Sequence, residues 1–368
     1  MFEQAIPVTE TNLPDGRYLA QTLKRRGRPA AAPGPVVEQR LDGGRTGARV
    51  SRLRCDDGSS FVLKAIPCRR GFRDALGHDG EAAAWLRGAL NGLPPPLATP
   101  MLDAAFNPER DEWWLLMEDV SSGIVSRDGW REDHTRRLFE AMAGLHARHW
   151  NGDAAMHRGL ATLADTTALP IEIALYEATG VARTPWVARA AEEFQVPRML
   201  LPDFLADAGT DNGDFYLALL HRWRDLVAAL EMRTRTFLHG DLRRANVAFL
   251  DDRVVLFDWE FAATGPAAVD LTWHWFLHYW AYPPEDGRHP DERLWLRDIY
   301  LLRLEEALGR PIDRDGFLTA WELGWLRVFC QLGFVLADGL GGAASQARWR
   351  VIDSAFERAR RIADEQLG

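Results

Sequence analysis

In Val50-Ser51-Arg52-Leu53-Arg54-Cys55 apolar and polar residues alternate, with Leu53 and Cys55 two apart, and Asp56-Asp57-Gly58 then turns the chain into the apolar run Phe61-Val62-Leu63-Lys64-Ala65-Ile66. Period-two alternation around a Gly-containing turn predicts a β-hairpin. A third apolar run, Trp113-Trp114-Leu115-Leu116-Met117-Glu118-Asp119-Val120, turns polar at its end and enters Ser121-Ser122-Gly123, as a strand running into a loop does. Far downstream, Val247-Ala248-Phe249-Leu250 and Val254-Val255-Leu256-Phe257 flank Asp251-Asp252-Arg253 and predict a second hairpin. The rest of the chain after residue 120 places Leu, Ala, Phe and Trp at helical spacing, which predicts helices over 132–150, 215–235, 268–281, 291–308, 314–338 and 345–366. A short helical run, Glu81-Ala82-Ala83-Ala84-Trp85-Leu86-Arg87, follows the first hairpin.

Strands gathered at the front and helices behind them predict an α+β chain, with a small β-rich lobe at 1–117, a hinge at 118–123 and a larger, mainly helical lobe at 124–368. A length of 368 residues is enough for two such lobes.

The second hairpin connects the most informative residues. It is preceded by His239-Gly240-Asp241-Leu242-Arg243-Arg244-Ala245-Asn246 and followed by Asp258-Trp259-Glu260. The spacing suits phosphoryl transfer, where the loop H-R-D-x-x-x-x-N uses its Asp to accept a hydroxyl proton and its Asn to hold Mg²⁺. A short hairpin brings Asn246 and Asp258 to neighbouring strand ends. Two oxygen ligands suit Mg²⁺, which completes its octahedron with phosphates and water. A solvated turn followed by an ordinary strand end is the plain alternative.

Counting cations singles out one more position. Lys24 and Lys64 are the only lysines among 44 basic residues, and Lys64 sits inside an apolar strand. A compact ammonium fits between two phosphates as a point charge where a guanidinium does not. Glu81 is the only Glu between Lys64 and Asn91, so it is the expected ion-pair partner. Ahead of this strand, Gly43, Gly44, Thr46 and Gly47 form either a phosphate-approaching loop or a flexible hairpin. The loop is not G-x-x-x-x-G-K-[ST], which excludes a P-loop ATPase at this site.

Composition narrows the partners. A net charge of −9 without a Lys/Arg-rich block argues against nucleic acid, and 47% hydrophobic with 26% charged residues describes a globular protein. Cys55, Cys68 and Cys330 form no C-x-x-C pair, and the first residues lack the pattern of a signal peptide, so a cytoplasmic location is expected. The apolar stretches near 271–282 and 328–336 are too short to span a membrane.

Taken together, His239-Gly240-Asp241-x-x-x-x-Asn246, Asp258-Trp259-Glu260 and Gly265-Pro266-x-x-x-Asp270-Leu271 resemble the aminoglycoside phosphotransferase and choline kinase superfamily. Within it the chain is similar to the ecdysteroid-kinase-like small-molecule kinases. Leu115-Leu116-Met117-Glu118-Asp119-Val120 looks like that family's hinge, and Leu145-His146-Ala147 like its helix end. Residues 151–214 carry no pattern that aligns.

The resemblance implies a bilobal protein-kinase-like fold, ATP or another nucleoside triphosphate with Mg²⁺, and γ-phosphoryl transfer to a small-molecule hydroxyl. It implies Asp241 as base, Asn246 and Asp258 as metal ligands, Lys64 on the phosphates with Glu81 as its partner, and Met117, Glu118 and Val120 around the adenine. Arg243 either offsets charge on the transferring phosphate or faces solvent. Gly240 replaces the kinase Arg that pairs with a phosphorylated activation loop, which implies activity without that control. A silent nucleotide-binding pseudokinase and a protein kinase are the other readings.

Several further residues carry two readings each. Glu260 reaches the metal through water or anchors its strand end. Asp270 caps or braces the helix that follows it, and His146 is a packing histidine or a ligand. Asp203, Asp207, Asp211 and Asp214 form an acidic loop for a cationic substrate, or a solvated surface. Trp273, Trp275, Tyr279 and Trp280 build an aromatic cage for a quaternary ammonium, or pack in the core.

Overall fold

A computed structural model describes residues 22, 37–41, 48–55, 58–68, 80–152, 160–193, 196–284, 286–337 and 346–368. The first strands are β1 (Val37–Leu41), β2 (Arg49–Arg54) and β3 (Ser60–Pro67), followed by helix α1 (Gly80–Leu86), β4 (Leu97–Ala98), β5 (Met101–Asn107) and β6 (Glu112–Glu118). Five of the strands make one antiparallel sheet in the order β1-β2-β3-β6-β5. The expected hairpin is the β2/β3 pair, in register from Arg49 opposite Ala65 to Arg54 opposite Ser60.

Alternation along β3 divides the two faces of this sheet. Phe61, Leu63 and Ala65 join Leu53, Leu102, Trp114 and Leu116 in a small cluster on one face. Ile66, with Leu115 and Met117 of β6, belongs to the main core, which continues into the helices. Lys64 stands two residues from Ile66 and so shares its face, directed toward the helical part.

That part contains α2 (Glu132–Arg148), β7 (Ala161–Thr162), α3 (Leu163–Thr179), α4 (Val187–Glu193), α5 (Val196–His221) and α6 (Trp223–Glu231). Then come β8 (Thr236–Leu238), β9 (Val247–Leu250), β10 (Arg253–Leu256), β11 (Ala263–Gly265) and α7 (Ala268–Trp275), which continues as a π-helical turn over Phe276–Ala281. Helices α8 (Trp295–Leu308), α9 (Arg314–Leu332) and α10 (Gln346–Leu367) complete it. The second predicted hairpin is β9/β10, with Leu250 opposite Arg253 and Val247 opposite Leu256.

The sequence pattern did not anticipate three helical stretches: α3, α4 and α5 as far as residue 214. Pro170 lies inside α3, and α5 contains Pro202 and a break at Gly209 with φ 75°. These residues interrupt the helical period. The acidic positions expected in a loop, Asp203, Asp207, Asp211 and Asp214, lie instead on α5, all exposed.

Candidate active site

Lys64 is held on β3 between Val50 of β2 and Leu115 of β6, with 7% of its surface exposed. Its ammonium lies 2.8 Å from Glu81 Oε2 and 2.5 Å from Asp258 Oδ1. Glu81 is fully buried at the start of α1, and its other oxygen accepts the backbone N–H of Asp258 at 3.1 Å. One glutamate thus ties together a strand of the sheet and the segment after β10. Burial pulls the Lys64 ammonium down, but the charges of Asp258, Glu81 and Glu260 outweigh it and hold the ammonium well above the ordinary lysine range. For Asp258, burial pushes up and Lys64 pulls down more strongly, leaving the carboxyl below its usual value.

The approach of α1 to this segment is close enough to require glycine. A Cβ at Gly80 would lie 2.2 Å from the carbonyl oxygen of Glu260. Glu260 is buried and adds its charge to the field on Lys64.

The loop after β8 is built around Asp270. Its Oδ2 accepts the N–H of His239 at 2.7 Å and its Oδ1 that of Gly240 at 2.8 Å. Asp270 therefore braces this loop and does not cap the helix that contains it, whose capping position is Ala267. His146 reaches the same carboxylate at 3.4 Å and Tyr300 at 2.8 Å, so it is a buried packing histidine joined to the brace. His239 accepts the Asp241 N–H at Nδ1 and donates from Nε2 to Phe257 O, which connects the loop to the end of the hairpin.

Gly240 has φ +83°, and a Cβ there would lie 2.0 Å from Phe261 O. The backbone excludes any side chain at this position, including the arginine of the protein-kinase loop.

These bonds deliver Asp241 with both oxygens occupied. Oδ1 accepts Trp273 Nε1–H at 2.8 Å, and Oδ2 accepts Asn246 Nδ2–H at 2.9 Å. Arg243 Nε forms an ion pair with the same Oδ2 at 2.9 Å, without its N–H aimed along that line. Burial pushes the Asp241 carboxyl above its ordinary value, aided by Asp258 and opposed by Arg243. Because Asn246 Nδ2 also donates to Asp241 O at 3.0 Å, its amide oxygen is turned away from Asp241. Asn246 O accepts Phe257 N–H at 3.2 Å, which places Asn246 beside the residue preceding Asp258. Asp258 itself adopts φ 64° and keeps its side chain 31% exposed.

An amide oxygen turned away from the base and a partly exposed carboxylate at one hairpin end fit a hard cation that takes few protein ligands. Among the described residues no three His, Cys, Asp or Glu side chains cluster as a metal cage. No described helix is long and apolar enough to cross a membrane.

At the expected hinge, Met117 is buried and pairs with Val62 and Met101. Glu118 donates its N–H to Pro100 O at 2.8 Å and closes β6 opposite Phe61 of β3. Val120 is buried against Ala248 and Val255. The sequence reading overlooked Asp119, which accepts from Arg52 Nε and Ser60 Oγ, each at 2.7 Å, and from the Ser121 N–H at 3.1 Å. Burial raises its carboxyl, but hydrogen bonds from Ser121, Ser60 and Arg52 hold it down to about 2. Gly43, Gly44, Thr46 and Gly47 lie outside the described residues.

Asp241 opens onto a cavity of about 320 Å³. Its walls come from α3, α5, α7 with the π-helical turn, α9 and the loop after β8. Of the four aromatics considered for a cage only Trp273 lines it; Trp275, Tyr279 and Trp280 are core residues at 0–1% exposure. Helical spacing around residue 273 was the signal, but which side of that helix met the base was not encoded in it.

The profile of the phosphotransferase enzyme family (APH) matches residues 38–308, well over half of the chain. The chain belongs to that family. This phosphotransferase is accordingly a small-molecule kinase, and its α+β fold, with a sheet in front of a helical part, is the one expected. No curated protein matches it by sequence. Among solved structures, it is similar to the amicoumacin kinase hAmiN in complex with AMP-PNP, Ca²⁺ and Ami, at 14% identity, covering 95% of this chain and 94% of that one with a TM-score of 0.50. It is also similar to choline kinase from Cryptosporidium parvum Iowa II, at 11% identity, covering 90% and 91% with a TM-score of 0.52. At such identities the likeness concerns the fold.

Proposed function

We propose that this phosphotransferase transfers the γ-phosphoryl group of ATP to a hydroxyl of a small molecule, with Asp241 as the base. One observation carries the reading. Lys64 is held against both Glu81 and Asp258 on one side, while Asp241, bonded to Asn246, faces a cavity on the other. An isolated phosphate-binding lysine would need no such second half.

In this reading Lys64 contacts the phosphates, kept in place by Glu81. Asn246 and Asp258 would hold Mg²⁺, which when bound neutralises charge on the phosphate oxygens. Met117, Glu118 and Val120 border the adenine, and the glycine-rich residues Gly43, Gly44, Thr46 and Gly47 cover the phosphates. The hinge at 118–123 separates the nucleotide lobe, 1–117, from the helical lobe, 124–368. Trp273 and Asn246 orient the Asp241 carboxylate. Asp241 takes the hydroxyl proton as the acceptor oxygen bonds to the γ-phosphorus and the bond to the leaving β-phosphate oxygen breaks, giving a phosphate monoester and ADP. Its raised proton affinity suits that task, since a very weak base would not take a proton from an alcohol. Arg243, ion-paired to the base, is placed to offset charge near the transferring group.

A protein kinase needs an activation segment after the metal-binding Asp. Here β11 begins at Ala263 and is hydrogen-bonded to β8 at once, which leaves no room for one. Asp241→Asn tests the reading. AMP-PNP binding should persist while ATP-dependent phosphorylation falls by at least about 10²-fold, the usual worth of a general base. Undiminished turnover in this variant would remove Asp241 as base.

A further inference from the structure

Among the described residues, Asp241 is the only carboxylate lining the acceptor cavity, against three guanidinium groups from Arg243, Arg244 and Arg327. Arg243 is matched by Asp241. Arg327 enters from α9 at 2% exposure, and its partners are two hydroxyls, Thr167 Oγ1 at 2.6 Å and Thr166 Oγ1 at 3.1 Å. No described carboxylate lies within ion-pair distance of it, and burial drags even this guanidinium down to about 10 while Asp270 and Cys330 oppose the fall. Arg244, half-buried, is likewise without a described ion-pair partner.

The remaining titratable groups on the walls do not supply a counter-charge. His274 and His278 are buried, each with an Nδ1 that meets no partner, and both rings are kept neutral by burial and by the charges around them. The surface in between is apolar: Leu169, Pro170, Val196, Phe261, Leu277 and Val335. The acidic residues of α5 do not line the cavity. A cation hidden from water with only hydroxyl partners is costly, and the cost is relieved by an anion that arrives with the ligand.

We propose that the acceptor is an anionic, largely apolar alcohol: a hydroxylated organic acid whose carboxylate is met by Arg327 and Arg244 while its hydroxyl lies at Asp241. The inference deepens the kinase reading and rests on it. A polycationic aminocyclitol or a quaternary amino alcohol would bring positive charge to walls that already carry an excess of it. Transfer to the hydroxy acid yields its phosphate monoester and ADP, with the proton on Asp241.

Isothermal titration of the full chain with three probes of equal length tests this: a medium-chain ω-hydroxy carboxylate, its methyl ester and the corresponding ω-amino alcohol. The carboxylate should bind at least about tenfold more tightly than either of the others, as a charge-assisted hydrogen bond allows. Arg327→Gln and Arg244→Gln should each remove most of that preference, and Arg327→Lys should retain part of it. Circular dichroism checks that each variant folds; should Arg327→Gln fail, Arg244→Gln carries the comparison. The proposal is overturned if the ester or the amino alcohol binds as tightly as the acid, if the preference survives both glutamine variants, or if folded wild-type protein binds none of the three. A parallel titration with AMP-PNP separates the two ideas, because loss of nucleotide binding sinks the kinase reading independently of the charge preference.

Discussion

Replacing Asp270 with Asn removes one acceptor from a carboxylate that holds two backbone N–H groups. Oδ2 accepts from His239 at 2.7 Å and Oδ1 from Gly240 at 2.8 Å, with Asp270 itself 1% exposed. Asparagine offers one oxygen and one NH₂, so either the His239 or the Gly240 amide faces a donor. The buried N–H left without an acceptor costs about 1–3 kcal/mol, and loss of charge assistance on the other bond adds about 1 kcal/mol. The sum, about 2–4 kcal/mol, should lower the melting temperature by about 3–5 °C in a chain of this length. Asp241 lies one residue beyond Gly240, its N–H bound to the same His239, so a slackened loop misplaces the base. Turnover with a hydroxyl acceptor should fall by roughly 10²-fold, the scale of a displacement near 1 Å. AMP-PNP affinity should be nearly unchanged, because Asp270 does not contact Lys64 or Glu81. Scanning calorimetry and steady-state kinetics on one preparation read both effects. An Asp270→Asn variant that melts and turns over like wild type would refute the brace.

Gly240→Ala should fail to fold properly or lose nearly all activity, since the new Cβ would stand 2.0 Å from Phe261 O at φ +83°; soluble expression and circular dichroism check it. Lys64→Met strands the fully buried Glu81 without its cation and should cost about 3–5 kcal/mol in chemical denaturation, as breaking a buried pair does, with nucleotide affinity reduced as well. His274 and His278 are pushed down to about 3 and about 2, chiefly by burial. Depressed folded-state values mean that the unfolded chain binds more protons, so stability is complete above the ordinary histidine value and declines as pH falls from about 6.5 toward 3. Denaturation midpoints across that window should show a slope of up to about 2.7 kcal/mol per pH unit from the pair, reduced by about half in His278→Gln; a flat profile would contradict the buried neutral rings.

The amino-acid order alone determined the local pieces of this protein: both hairpins, most of the long helices, and the identity of the residues in the proposed catalytic centre. The hairpins were legible because short, largely apolar runs flank turns that carry Gly or Asp, and Lys64 because it is one of two lysines in an arginine-rich chain. Helices α3 and α5 were not legible because Pro170, Pro202 and Gly209 break the pattern, and tertiary packing overrides that local cost. Partnerships across long sequence separation belonged to the tertiary structure. It decided that Asp270 serves the loop before it and not its own helix, that Trp273 alone among four aromatics reaches the base, and that Gly240 is dictated by the carbonyl of Phe261. It also brought Arg327 from α9 to the cavity with hydroxyls in place of a counter-ion. Periodicity records which residues share a face of one element, whereas the charge balance of a cavity depends on which faces meet, and that is settled only when the elements pack.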